Sequence, residues 1–572
     1  MQSGRKLTAT LLPTFLCLVT MLLASCGTAG GPSSGQKAPD TQQIYRWAFR
    51  LPDINTFDPG IATDATSINA INLVFTGLVQ LDDNLEVQPQ LAQSYDVSKD
   101  GMTYTFHLRP ALKFSDGARL DANDVAYSID RALSPEINDQ SGVALTYLGL
   151  IKGAPDRVSG KVKSLIGSSV IVQDPNTLVI KVSKPTGYFL QALAYPTSYV
   201  VEQSVIQKWG QKWTDHLGDN GGQGGDGPFM VKVYDHNTGI KLIPNPNYYG
   251  PKPQLKELDY LPMKDEETSY NAYLAGQVDY TSVPIGEYQN AKDSRDFSQN
   301  SSLTMFFIGM NYLVKPLDNI KIRQALALAL DRETIVKAAF SGAYTPSCHI
   351  IPQGMYGYDS QLTCPDGTTP KGDPNKARQL FAEGLQESGL TPATFPTITL
   401  TYPTKNTGAA NETTTVVQMW KQTLGITIAT TAISQNTMYT LESQTTGSDK
   451  PLQMWLGGWV ADYPDPQDWI TLQFGIGQPY NEFNFGNNPG ATAQQQRDLQ
   501  HQMAAADVMT DKAARAQAYN KIEQQLVNDV AWLSVYQRPD MRLLKPYVIG
   551  LKFNAFSQEP PNDWANVYIA QH

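Results

Sequence analysis

Apolar and polar positions recur with two periods along this chain, and together they predict a mixed α and β body. Tyr104, Phe106 and Leu108 are separated by Thr105 and His107, the period-two pattern of a half-buried strand. Leu178, Ile180 and Val182 repeat it after the turn Asp174-Pro175-Asn176. Between these runs Asp121 stands where a helix cap belongs, and Asp124 adds negative charge to the first turn. Val125, Ile129 and Leu133 then make one apolar face. Asp373-Pro374 predicts a cap with proline at the first helical position; Ala377, Leu380 and Phe381 share a face, and Gly389 lies near the stop. Ile322, Ala325, Leu326 and Ala329 form another stripe, after which Asp331 can cap the next helix. Ile522, Leu526 and Val530 recur every fourth residue. These stripes predict core.

Length and composition narrow the class. At roughly 150 residues per domain, 572 residues allow three or four domains. With 41% apolar and 17% charged residues, disorder and a multi-span membrane protein are both disfavoured. A formal charge of −10 disfavours nucleic acid as a partner. The 28 Tyr and 9 Trp supply rings with a polar tip or edge, which suit a wet binding surface.

The amino terminus predicts export. Arg5 and Lys6 precede an uncharged apolar run from Leu7 to Leu23, followed by Ala24-Ser25-Cys26-Gly27. Leu-Ala-Ser-Cys resembles the bacterial lipobox, which implies cleavage after residue 25 and lipidation of Cys26. The alternative is an uncleaved anchor, but a seventeen-residue run interrupted by Pro13 is short of the ~20 that a span needs. Cleavage removes two basic residues and no acid, leaving a charge of −12. Residues 26–43 then read as a lipidated, flexible tether, and the body is expected outside the cell on the bacterial membrane. Of the remaining cysteines, Cys348 and Cys364 lie 16 apart. In an exported protein that spacing suggests a local disulfide, with two free thiols as the alternative.

Motifs for catalysis fail. The six His are scattered, and there is no HExxH, no G-x-S-x-G elbow and no phosphate loop. One G-x-G-x-x-G match, Gly222, Gly224 and Gly227, precedes Pro228-Phe-Met-Val-Lys-Val, which reads as a strand. A dinucleotide fingerprint must open a helix. No catalytic residue, cofactor or metal site is expected. The acid pairs Glu266-Glu267 and Asp82-Asp83 read as solvated surface.

From Ile44 onward the chain resembles the family 5 extracytoplasmic solute-binding proteins of ABC importers, most nearly their oligopeptide-binding members. The likeness is carried by Asn55-Thr-Phe-Asp58-Pro59, Phe75-Thr-Gly77-Leu78, Leu91-Ala-Gln-Ser-Tyr95, Thr103 to Arg109 and Lys113-Phe-Ser-Asp-Gly117. It continues through Asp226-Gly-Pro-Phe229, Asn245-Pro-Asn-Tyr-Tyr249, Tyr273-Leu-Ala-Gly276, Arg323 to Asp331, Gly458-Trp-Val-Ala-Asp462-Tyr463 and Arg542-Leu-Leu-Lys-Pro546. The resemblance implies a two-lobed α/β fold of the periplasmic-binding-protein type, class II, with an extra domain inserted in the first lobe. The first lobe would comprise 44–82, 195–300 and 530–572, the inserted domain 83–194 and the second lobe 301–529.

It also implies a site. An extended peptide needs main-chain partners when buried, and a strand supplies them whatever the side chains are. Gly457 to Tyr463 suits that role: the glycines leave room, Gly458 and Val460 would pair with ligand main chain, and Trp459 and Tyr463 would line the pocket. In the family's peptide binders the Asp of this motif holds the ligand's α-ammonium, which lands on Asp462. The alternative is that Asp462 caps the turn Tyr463-Pro464-Asp465-Pro466. The arginine that serves a ligand carboxylate in those proteins is Leu456 here, and Lys405 is the nearby cation. Expected partners are an oligopeptide, an ABC permease with its ATPases, and a membrane reached through Cys26, with the protein itself a monomer. A sugar-binding alternative would stack rings on Trp455, Trp459 and Trp469; an exported peptide hydrolase is a further alternative.

Overall fold

The computed structural model describes residues 35–404, 406–478 and 480–572. The signal segment, residues 26–34 of the expected tether (Cys26 among them) and Lys405 lie outside the described residues. Residues 35–43 are not a free tether, because Ala38 N–H donates to Ile569 O at 2.9 Å and the Gln43 side chain, wholly buried, donates to Ala38 O and Ile569 O at 2.8 Å.

Residues 78–200 build one body, a little wider than the 83–194 expected, whose core also takes in Tyr463. Its antiparallel sheet runs Ala92–Val97, Thr103–Leu108, Thr177–Lys181, Val170–Asp174. Tyr104, Phe106 and Leu108 point into the core, as does Leu178. The helix Ala122–Ala132 packs on this sheet. Asp121 accepts the amide of Asn123 at 2.9 Å, and Asp124 returns a bond to the Asp121 amide at 2.9 Å, so two orphan donors are satisfied reciprocally. Val125, Ile129 and Leu133 are fully buried.

Among the described residues a mixed sheet of eleven strands joins the rest of the chain. One end of it carries Ile44–Phe49, parallel to Glu257–Pro262, with an apolar core of Tyr45, Trp47, Phe57, Trp213 and Trp564. That core draws on residues before 76 and after 198, so the 78–200 body interrupts it. The other end carries Ile428–Ile433, Ile398–Pro403 and Met454–Val460 around a second core that includes Trp420, Trp455, Trp469 and Trp532. The architecture is therefore two lobes with a domain inserted in the first. In the glycine loop, a Cβ on Gly225 or Gly227 would lie 2.5 or 2.6 Å from the main chain of Val74, so these glycines permit a close backbone approach. The strand Phe229–Asp235 follows.

Two long strands, Phe297–Met310 and Leu533–Leu544, run antiparallel from one lobe to the other. Their register breaks between Ser301 and Met305, where the lobes meet. This corrects the boundary at 530. Leu533, Val535 and Tyr536 belong to the core of the second lobe, and only Arg542–Leu544 pair with first-lobe strand Tyr280–Ser282. A strand twelve residues long cannot belong to one lobe when its two halves pair with both. Leu85, at the tip of the hairpin Val79–Leu81 and Val87–Pro89, is likewise buried in the second lobe's core. A disulfide joins Cys348 and Cys364. No helix among the described residues is long and apolar enough to cross a membrane.

Candidate functional site

The strand Met454–Val460 has one edge occupied and one largely open. Along the occupied edge it pairs in constant register with Phe297–Met310, Met454 opposite Met310 and Val460 opposite Thr304. Two hydrogen bonds bracket that ladder: Asn311 N–H donates to Gln453 O and Ala461 N–H to Leu303 O, both at 3.0 Å. In an antiparallel ladder, bonded and non-bonded pairs alternate. Trp455, Gly457 and Trp459 therefore aim their main-chain groups at Phe297–Met310. Those of Leu456, Gly458 and Val460 face the other edge. There the parallel strand Ile398–Pro403 pairs with Met454 and Trp455 and no further. Among the described residues no strand continues along 456–460. Gly458 is exposed and Val460 is 62% exposed.

The glycines have a different cause from the one expected. A Cβ on Gly457 would meet the Phe307 ring at 2.6 Å, and one on Gly458 the Phe306 ring at 2.9 Å. Each phenylalanine is the cross-strand partner of its glycine, so the side-chain space is already filled by an aromatic ring. Leu456 is buried and brings no charge to the site.

Asp462 follows the strand directly. Its Oδ1 accepts the Tyr147 hydroxyl at 2.8 Å, a contact from the inserted domain to the second lobe. Oδ2 receives no hydrogen bond from the described residues, and the residue as a whole is half-buried. The turn-cap alternative fails, because Asp465 caps the short helix Pro466–Trp469 by accepting Gln467 N–H at 2.9 Å. Asp465 also holds Arg515 through two bonds of 2.5 and 2.7 Å, both residues being buried. Trp459 is half-buried, with its ring edge-on to Tyr480 at 5.0 Å. Tyr463 differs from expectation. It is buried in the core of the inserted domain, stacked on Tyr188 at 5.4 Å, so its ring joins the two lobes. Trp455 and Trp469 are wholly buried and present no platform to a sugar.

Sequence reasoning missed Tyr147 and Asp468. Tyr147 lies 315 residues from Asp462, stacked on Tyr195 at 3.6 Å, and no spacing could link them. Asp468 was visible only as a further acid in Asp465-Pro-Gln-Asp468. Its Oδ2 accepts both Trp459 Nε1–H and Asp462 N–H, each at 3.1 Å.

The electrostatics follow from burial. Desolvation pushes the Asp462 carboxyl up to about 6, partly offset by the Tyr147 hydrogen bond. Asp468 is held well above the usual carboxylate range, first by burial and then by the Asp462 charge. The site is thus suited to a cation that can reach Oδ2 of Asp462. No group of three or more His, Cys, Asp or Glu suited to a metal occurs among the described residues.

Comparison with known proteins supplies the family. Residues 86–481 match the family model described as bacterial extracellular solute-binding proteins, family 5 middle. The oligopeptide-binding protein OppA of Bacillus subtilis is 28% identical over 532 residues, covering 91% of this chain and 93% of that one. The periplasmic oligopeptide-binding protein OppA of Escherichia coli is 28% identical, with 97% of each covered. The unliganded open form of MppA, a periplasmic murein tripeptide binding protein, superposes with a TM-score of 0.74 at 24% identity, over 95% of this chain and 99% of that one. That last likeness is one of fold.

Proposed function

Because the chain belongs to the bacterial extracellular solute-binding proteins of family 5, we propose that it captures oligopeptides between its lobes and delivers them to an ABC permease and ATPase complex. The open edge of Met454–Val460 carries this reading. Its free main-chain groups at Gly458 and Val460 can pair with a ligand strand irrespective of sequence, which is how one receptor accepts many peptides. Asp462 at the end of that edge receives the ligand's α-ammonium on Oδ2, and Trp459 walls one side-chain pocket. Tyr463 and Tyr147 close the lobes over the ligand rather than grip it. The relatives named oligopeptide-binding cover nearly the whole chain and support the same ligand class.

In this reading the two lobes and the inserted domain keep the sequence-based order, with the inserted domain widened to 78–200 and the last crossing moved to about residue 540. Lipidated Cys26 anchors the protein outside the cell membrane, and only the part of the tether before residue 35 is left to lift the lobes clear of it.

Native mass spectrometry of protein purified from its host tests the ligand class. Masses of mixed short peptides are expected, and a defined peptide incubated with the protein is returned uncut. Hexose-spaced masses, or cleavage of the peptide, would refute the reading.

A further inference from the structure

Asp468 is wholly buried, yet no cation among the described residues is paired with it. Arg515, the nearby guanidinium, is taken up by Asp465 through both of its terminal nitrogens. One Asp468 oxygen, Oδ2, collects the Trp459 indole N–H and the Asp462 main-chain N–H. The other, Oδ1, is buried and has no hydrogen-bond partner among the described residues. Removing the Oδ2 acceptor would strand two desolvated N–H donors on the two residues that face the ligand edge.

We propose that Asp468 is a positioning residue of the capture site: through one oxygen it fixes the indole of Trp459 and the main chain of Asp462, and so sets where a ligand ammonium meets its carboxylate. The inference rests on the peptide-capture reading. The groups facing the pair are Tyr147 and Tyr195 of the inserted domain, Tyr463 and Asp465 of the following turn, Tyr480, and Arg515 already paired with Asp465. None of these brings a free positive charge to Asp468. Burial and the Asp462 charge both favour its protonated form. The pair then carries one negative charge at neutral pH, on Asp462, which matches a single ammonium.

Calorimetry with a free-amine tetrapeptide and its N-acetylated form separates the roles. The parent prefers the free amine by about tenfold or more. Asp468→Asn keeps a carbonyl oxygen for both donors. It is expected to bind within about threefold of the parent, keep that preference and follow the same pH profile. Asp468→Ala loses the acceptor, and its preference should fall below about threefold. A preference retained in Asp468→Ala, one lost equally in Asp468→Asn, or a displaced pH profile in Asp468→Asn overturns the proposal. Asp462→Asn tests the underlying reading separately: if it leaves the free-amine preference intact, peptide capture by Asp462 is wrong whatever Asp468 does. Should Asp468→Ala not fold, the exchange of the Trp459 indole hydrogen decides. It is expected to be slow in both the parent and Asp468→Asn, and rapid exchange in the parent refutes the contact.

Discussion

Neutralising Asp462 without changing its shape isolates the charge. Asparagine at 462 can still accept the Tyr147 hydroxyl, now at 2.8 Å from Oδ1, so the ligand-free contact between inserted domain and second lobe is kept. What disappears is the carboxylate offered to a ligand ammonium. A charge-assisted hydrogen bond in a desolvated site contributes about 1.5–3 kcal/mol, which is about 10- to 150-fold in affinity. The pH dependence gives a second measure. Since the Asp462 carboxyl is pushed up to about 6, it is largely ionised at pH 7.5 and mostly protonated at pH 5. Affinity for a free-amine peptide should therefore fall about tenfold between those values in the parent. In Asp462→Asn it should be low and flat. Titration calorimetry at both pH values, with the N-acetylated peptide as control, reads all of this. An Asp462→Asn variant that retains the parent's slope, or an acetylated peptide that shows it, would show that the titrating group is elsewhere.

Three further outcomes follow from buried groups. Glu412 is buried with its Oε2 accepting the Tyr536 hydroxyl at 2.8 Å, and burial pushes its carboxyl up to about 8. A raised folded-state value gives stability that is full below the unfolded value near 4.5 and is lost as pH rises through 8. The parent should therefore melt lower at pH 8.5 than at pH 5, with this group contributing at most about 5 kcal/mol; Glu412→Gln should shrink that difference in thermal melts, and an unchanged difference refutes the assignment. Arg515→Ala leaves Asp465 buried without its partner, so guanidinium unfolding should show a loss of about 3–5 kcal/mol, and Arg515→Lys, lacking the two-pronged geometry, should restore little of it. Replacing Cys348 and Cys364 with Ser opens a loop of 16 residues and should cost about 3 kcal/mol in the chain-entropy account. Calorimetric melting of that variant should match the parent under reductant, while peptide affinity stays unchanged.

Much of the local architecture was legible because its causes act over a few residues. Asp121 with Asp124, Asp331 and Asp373 cap the helices where they were expected, since a cap needs only an acceptor two or three residues before an orphan amide. The alternation at Tyr104, Phe106 and Leu108 fixes one face of a strand for the same reason. Val530 shows the limit: it continues the spacing of Ile522 and Leu526, but it stands just past the helix Lys512–Asp529 at φ 52°, in the left-handed turn that ends it. The motif Gly457 to Tyr463 was also legible as a site, but not which of its atoms are free. Gly457 and Gly458 read as room for a ligand, whereas the rings of Phe306 and Phe307 fill that room from the neighbouring strand.

The sequence by itself determined the α/β class, the capped helices and the position of Asp462 at the end of a glycine-rich strand. All of these are written in neighbours along the chain. Only the tertiary structure decided which strand edge is left open, that Tyr463 packs between the lobes, and that Tyr147 and Asp468 flank Asp462. The physical reason is that an open edge, a contact across 315 residues and a carboxyl raised by burial each depend on what the rest of the fold places beside them.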